Sequence, residues 1–155
     1  MLDSMLSWMQ TTPVAVAISQ SLTVNALLSS MHVLGITSLV GSVLVSSLRL
    51  MGAVLVAWSS DEVTRATRRG AAIGLSITVV TGVLLVSPRA PNAAVNTFFQ
   101  TKMLLLVTAT VFHLTAYRRA SVTTRPGRRS IAVGAVGLAL WLGVVLAGAA
   151  FILLE

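Results

Sequence analysis

Four side chains in this sequence are the strongest candidates for ligand binding or proton transfer: two histidines, the only lysine and one arginine. They are His32, His113, Lys102 and Arg49, and each falls in or beside a long apolar stretch. Neutral imidazole ligates haem iron or copper, and an ionisable group inside a hydrocarbon layer is costly enough to indicate a function. Tyr117, four residues after His113, adds a phenol. These side chains are the candidates for a cofactor site.

The two histidines lead to alternative cofactor predictions. His32 and His113 could ligate haem b, and His32 with its neighbour Met31 could ligate copper near the outer surface. His32 lies 17 residues before Arg49, and His113 lies five residues before Arg118. If both arginines mark one boundary, the two rings differ in depth by about 20 Å, which is too far for one shared haem. Histidines that only hydrogen-bond between helices remain an alternative.

Lys102 and Arg49 also have purely structural interpretations. Lys102 lies near the outer end of its apolar stretch and could extend its ammonium to the interface. Arg49 could anchor the cytoplasmic boundary. We expect no catalytic residues and no autonomous enzyme, because the sequence has no cysteine, no nucleophile motif and no phosphate-binding loop. The acidic residues lie at ends or in loops: Asp3, Asp61, Glu62 and Glu155.

Four apolar stretches must position these side chains. Apolar residues make up 55% of the sequence and charged residues only 10%, whereas soluble domains carry about 25% charged residues. Each stretch is close to the ~20 residues that cross a bilayer, and a backbone in lipid must form helices. We therefore predict an all-α integral membrane four-helix bundle. Its domain covers residues 24–155, with spans at about 24–48 (or to 58), 60–87, 97–118 and 131–154.

The positions of the basic residues predict the orientation. Nine arginines lie between spans one and two or between spans three and four, whereas only Arg89 and Lys102 lie toward the other side. Loops rich in Lys and Arg stay in the cytoplasm. The N-terminus, the Pro88–Asn96 loop and Glu155 are then expected outside, in a bacterial inner membrane. The same placement explains the net charge of +7 without nucleic acid as a partner.

Residues 1–23 are expected to form an interfacial helix on the outer surface. Leu2, Met5, Leu6 and Met9 have helical spacing, and the ring of Trp8 suits the headgroup region. A frayed extension of the first span is the alternative.

Local motifs add detail to the spans. Ser59 and Glu62 have the spacing of a capping box before the second span. Within that span, Gly70-x-x-x-Gly74 permits close contact between backbones. Ser87–Asn92, with two prolines, predicts a loop. In the fourth span, small residues four apart predict a second packing face, formed by Ala139, Gly143 and Ala147.

Short motifs in chain order resemble a known family. They are Met31-His32-Val33-Leu34-Gly35, Leu48-Arg49-Leu50-Met51-Gly52, Thr81-Gly82-Val83-Leu84-Leu85, Lys102-Met103-Leu104-Leu105-Leu106 and Phe112-His113. They resemble a bacterial family of four-helix membrane proteins of unknown function, and more distantly the CopD-type copper-resistance membrane domain. The resemblance covers roughly residues 12–119. It implies membrane redox or metal handling and singles out His32, Arg49, Lys102 and His113.

Three functions follow as expectations. The first is a small accessory or electron-transfer subunit that binds haem or quinone within a larger membrane complex or homo-oligomer. The second is a CopD-like copper-handling protein. The third is a purely structural accessory subunit.

Overall fold

The computed structural model describes residues 2–122 and 127–153, with the side chains of residues 2, 3 and 121 left aside. The predicted outer end at Glu155 lies outside these residues. Regular structure in the described ranges is helical throughout. The elements are α1 (Leu2–Gln10), α2 (Pro13–Gln20), α3 (Leu22–Leu50), α4 (Ser60–Val86), a 3-10 turn (Ser87–Arg89), α5 (Ala90–Val95), α6 (Thr97–Phe112), a π-helical segment (His113–Tyr117), α7 (Arg118–Ser121) and α8 (Arg128–Leu153).

Four helical stretches are long and apolar enough to cross a membrane, as in a multi-pass membrane protein. This confirms the prediction of a helical chain with four candidate spans. The first stretch ends at Leu50, and Gly52 follows with a φ of 76°. The version of span one that continues to residue 58 is therefore wrong. The stretches are Leu22–Leu50, Ser60–Val95, Thr97–Ala120 and Arg128–Leu153.

The predicted loop at Ser87–Asn92 is wrong, because the chain stays helical there. Pro88 lies at the start of the 3-10 turn and Pro91 at the start of α5. The first turn of a helix has no internal acceptor for its N–H groups, so a proline costs little at that position. The helical stretch consequently continues to Val95, with a local break at Arg89, whose φ is −128° and ψ is 25°.

The helices pack in the order α4, α3, α8, α6. Among the described elements, α3 makes its most extensive contact with α4, α8 contacts both α3 and α6, and α4 and α6 do not pack extensively on each other. The predicted close approach at Gly70-x-x-x-Gly74 is confirmed. A methyl group on Gly74 would lie 2.6 Å from the backbone nitrogen of Leu39 and 2.7 Å from the carbonyl oxygen of Gly35.

The core lies where α3, α6 and α8 meet. Leu39 and Val43 of α3 pack there with Ala109 of α6 and with Trp141 and Val144 of α8. The small-residue face predicted for α8 is wrong, because Ala139 is exposed there. The buried face of α8 lies on another side of the helix axis and includes Trp141. That face consists of Ser130, Gly134, Gly137, Trp141, Val144, Gly148 and Phe151.

The N-terminal segment forms two short helices that cover one end of the bundle. The chain breaks at Ser21, whose side chain caps α3, so the first 20 residues are not a continuous extension of span one. The side-chain amide of Gln10 donates to the carbonyl of Pro88 at 2.8 Å, which ties α1 to the 3-10 turn. Met5 and Trp8 stay exposed on the far face of α1.

Candidate functional site

A cavity of about 300 Å³ lies between α4 and α6 at the end of the bundle covered by α1. This outer cavity has mainly apolar walls, with His32, Lys102 and Thr78 as the polar residues. A mostly apolar pocket with a few convergent polar groups is typical of small-molecule sites, and this volume is at their lower limit. The structure thus places two of the sequence-predicted residues, His32 and Lys102, in one cavity. Its apolar lining is Leu6, Met9, Val79, Gly82, Val83, Val86, Ala90, Ala94, Phe99, Met103, Leu106 and Val144.

The Thr81-Gly82 pair on α4 fixes the ring of His32. Nδ1 of His32 lies 2.8 Å from Oγ1 of Thr81, and that hydroxyl donates its single hydrogen to the carbonyl of Ile77 at 2.6 Å. With that hydroxyl as donor to Ile77, we assign Nδ1 as the donor to Thr81 and Nε2 of the neutral ring as an acceptor. Gly82 leaves room for the ring, since a methyl group there would lie 3.1 Å from Cε1 of His32.

Lys102 lies on α6 against the glycine face of α8. A methyl group on Gly148 would lie 3.5 Å from Nζ of Lys102, so Gly148 makes the space that the lysine occupies. Within the described residues, Lys102 has no ion pair and no hydrogen bond to another side chain. Its ammonium, with three donors, is therefore available to an oxygen atom inside the outer cavity.

His113 lies in a different cavity from His32. This inner cavity, of about 870 Å³, is lined by His113 and four arginines and shares no lining residue with the outer one. Oη of Tyr117 lies 3.3 Å from Oγ of Ser47, so these two residues have similar depth. His32 precedes Ser47 by 15 residues and His113 precedes Tyr117 by four, which gives a depth difference of about 16 Å between the histidines.

The π-helical segment is the feature of this region that sequence reasoning missed. It runs from His113 to Tyr117 and stacks the two rings, with 4.6 Å between centroids and 20° between planes. Such segments insert into α-helices and are frequent at functional sites. The segment has no proline, and apolar periodicity alone gave no signal for it.

Arg49 is buried and serves the loop between α3 and α4. It is only 4% exposed, and its Nε donates to the carbonyl of Trp58 at 2.6 Å. Its Nη1 is buried without a hydrogen-bond partner in the described residues. Arg49 lies in the last turn of α3, and its side chain turns inward to hold residues 51–59.

Met31 and His32 are not brought together on one cavity. Met31 is half exposed and is not among the residues that line the outer cavity, because neighbouring side chains on a helix point about 100° apart. The methionines that share the outer cavity with His32 are Met9 and Met103. Met103 could be found from the sequence, because it belongs to a motif named above. Met9 could not, because it joins the cavity only through the folding of α1 over it.

Comparison with known proteins gives one match. The sequence profile of a family described only as a family of unknown function (DUF6644) matches residues 6–151, so the match includes the fourth span. No curated protein and no solved structure matches the chain significantly.

Proposed function

This chain belongs to the family of unknown function DUF6644, and on that premise we propose that it is a membrane subunit that binds a quinone-type ligand between His32 and Lys102. The observation that carries the proposal is the presence of one hydrogen-bond acceptor and one cationic donor in the same apolar cavity. Little of the chain faces water, so the electron donor or acceptor for this ligand is proposed to belong to a larger membrane complex.

The two polar groups suit the two oxygen atoms of a quinone or quinol. Lys102 has donors only, so it binds a carbonyl oxygen or a phenolate. Nε2 of His32 is an acceptor, so it binds the hydroxyl of a quinol and is placed to take its proton. The apolar walls accommodate the ring. Haem held by both histidines is not supported, because His32 and His113 line separate cavities.

The proposed topology has the helices in a bacterial inner membrane, with the N-terminus and α5 outside and the arginine-rich turns in the cytoplasm. The native sequence has no cysteine, so single-cysteine variants report accessibility without background. Ala57→Cys and Val122→Cys are expected to be labelled only from the cytoplasmic side, and Asn92→Cys only from outside. Labelling of Ala57→Cys and Val122→Cys from opposite sides would refute the topology.

The single lysine provides a direct test of ligand binding. Reductive ¹³C-methylation keeps the positive charge of Lys102 and gives one dimethyl-lysine NMR signal, distinct from that of the N-terminus. A short-chain quinol, added to the full chain in detergent, is expected to shift this signal. His32→Gln is expected to weaken binding by roughly 10- to 100-fold, since it removes one partner of a charge-assisted or buried hydrogen bond.

His113→Gln is the matched control, because it changes the other histidine in the other cavity. Its affinity for the quinol is expected to equal that of the wild type. An equal loss in both variants, or no shift of the lysine signal at saturating quinol, would refute the quinone site. A Soret absorbance band in the purified chain would favour haem instead.

Copper handling is the second candidate, favoured by the presence of Met9 and Met103 in the same cavity as His32 and by the resemblance to the CopD-type domain. Soft sulfur ligands with imidazole select Cu(I). The ammonium of Lys102 in the same cavity disfavours a metal cation, which is why the quinone is preferred. Bound copper that is lost in both His32→Ala and Met103→Leu would support this alternative, and copper-free wild-type protein after loading would eliminate it.

A further inference from the structure

The inner cavity differs from the outer one in charge and in volume. It lies between the first turns of α4 and the α6–α7 segment and has a volume of about 870 Å³. Four arginines and one aspartate belong to its lining, which leaves a net charge of +3 with His113 neutral. They are Arg65, Arg68, Arg118, Arg119 and Asp61.

The aspartate does not neutralise the cluster. Asp61 pairs with Arg65 at 2.8 Å, one turn along α4, and so accounts for one of the four positive charges. Arg68 of α4 and Arg119 of α7 line the same cavity from two separate elements. Guanidinium groups bind phosphate oxygens with paired hydrogen bonds, and two such groups from opposite walls can hold one phosphate.

Apolar side chains lie in the same lining and reach the outer surface of the helices. Leu114 is 58% exposed and Val122 is 70% exposed, and both line the inner cavity. Leu114 lies in the segment that follows α6, and α4 and α6 do not pack extensively on each other. A free phosphate ion would contact only the arginines. A ligand with a phosphate and a hydrocarbon chain would contact both the arginines and the apolar side chains.

We propose that the inner cavity binds the phosphate group of an anionic phospholipid from the cytoplasmic leaflet, with its acyl chain along Leu114. Basic pockets between transmembrane helices on the cytoplasmic side are known to hold such headgroups. The site is distinct from the proposed quinone site, and it shares with that proposal only the insertion of the helices in a bilayer. Loss of quinone binding would therefore leave it untouched.

The test compares two pairs of substitutions that remove equal charge. Arg68→Gln with Arg119→Gln changes the lining from both walls, whereas Arg69→Gln with Arg128→Gln removes two exposed arginines that line no described cavity. The full chain in neutral detergent is titrated with phosphatidylglycerol or with phosphatidylcholine, and bound lipid is counted by native mass spectrometry. The first pair is expected to lower phosphatidylglycerol affinity by roughly 30-fold relative to the second pair.

Separate arms distinguish a lipid from a soluble phosphate. Glycerol 3-phosphate and inorganic phosphate are expected not to displace bound phosphatidylglycerol at millimolar concentration, and phosphatidylcholine is expected to bind weakly. Displacement by either soluble anion would overturn the lipid as the ligand. Equal affinity of the two double variants for phosphatidylglycerol would overturn the site itself, and circular dichroism of both variants confirms that each is folded.

Discussion

Substitution of Gly74 by alanine tests the contact between α3 and α4 that positions His32 against Thr81. The added methyl group would lie 2.6 Å from the backbone nitrogen of Leu39, whereas ordinary contacts begin at 3.4 Å. The two helices must therefore separate by roughly 0.8 Å, the difference between these distances. Backbone atoms cannot rotate aside as a side chain can, so the separation extends along the interface.

The magnitude follows from a comparison with Gly41→Ala. Both variants gain the same helix propensity, up to ~1 kcal/mol, but a methyl group on Gly41 meets nothing within 4 Å. The difference between the variants is therefore the packing term, about 1–3 kcal/mol for forcing extra volume into a packed interface. For a chain of this length it corresponds to a difference in melting temperature of roughly 2–12 °C.

The assay is thermal unfolding in detergent, followed by circular dichroism. We expect Gly74→Ala to melt below the wild type and Gly41→Ala to melt at or above it. The methylated Lys102 signal of Gly74→Ala should also respond more weakly to the quinol, because Thr81 moves away from His32 with α4. A Gly74→Ala variant that melts together with Gly41→Ala would refute the close approach of these helices.

Three further substitutions have defined outcomes. Tyr117→Phe leaves the buried hydroxyl of Ser47 without its partner and is expected to cost about 1 kcal/mol in unfolding experiments; an unchanged stability would contradict the bond. Ser59→Ala removes the capping box of α4 and should cost about 1 kcal/mol, with faster hydrogen exchange confined to the first turn of that helix. Arg49→Met removes the hydrogen bond to the carbonyl of Trp58. Proteolysis within residues 51–59 should therefore accelerate by roughly tenfold or more. An unchanged rate of proteolysis would show that other contacts hold the loop.

The features of the fold that the sequence predicted correctly depend on local chemistry or on the length of an apolar stretch. The four candidate spans are long enough for the ~20 residues that a bilayer requires, and the capping box at Ser59 and Glu62 is confirmed because both partners are close in sequence. The approach at Gly74 is confirmed because only glycine lets two backbones come so near. Each of these features depends on one segment and needs no knowledge of its neighbours.

The sequence predictions that are wrong concern segments in which tertiary packing decides between two structures that the local sequence allows equally well. In α8, small residues occur on more than one face, and the buried one is the face that brings Trp141 into the core with Leu39, Val43 and Ala109. At Pro88 and Pro91, each proline starts a new helical turn instead of ending one. Neither outcome can be derived from spacing alone.

The candidate site was predicted in part. The ionisable residues inside the spans identified His32 and Lys102, because charge in hydrocarbon is rare whatever the packing. The contribution of Met9 depends on how α1 folds back over the bundle, and the π-helical segment at His113 leaves no mark in the residue pattern. The functions assigned to these residues stay predictions until ligand binding is measured.

The incomplete packing between α4 and α6 determines how a hydrophobic ligand would arrive. Val79 and Val83 line the outer cavity and are 42% and 55% exposed, so in the proposed topology this wall would open toward the acyl chains and not toward water. An isoprenoid tail could trail through it into the bilayer while the ring stays inside. The affinity of the protein for the quinone, once corrected for partition of the quinone into detergent or lipid, should then be nearly independent of the length of the isoprenoid tail.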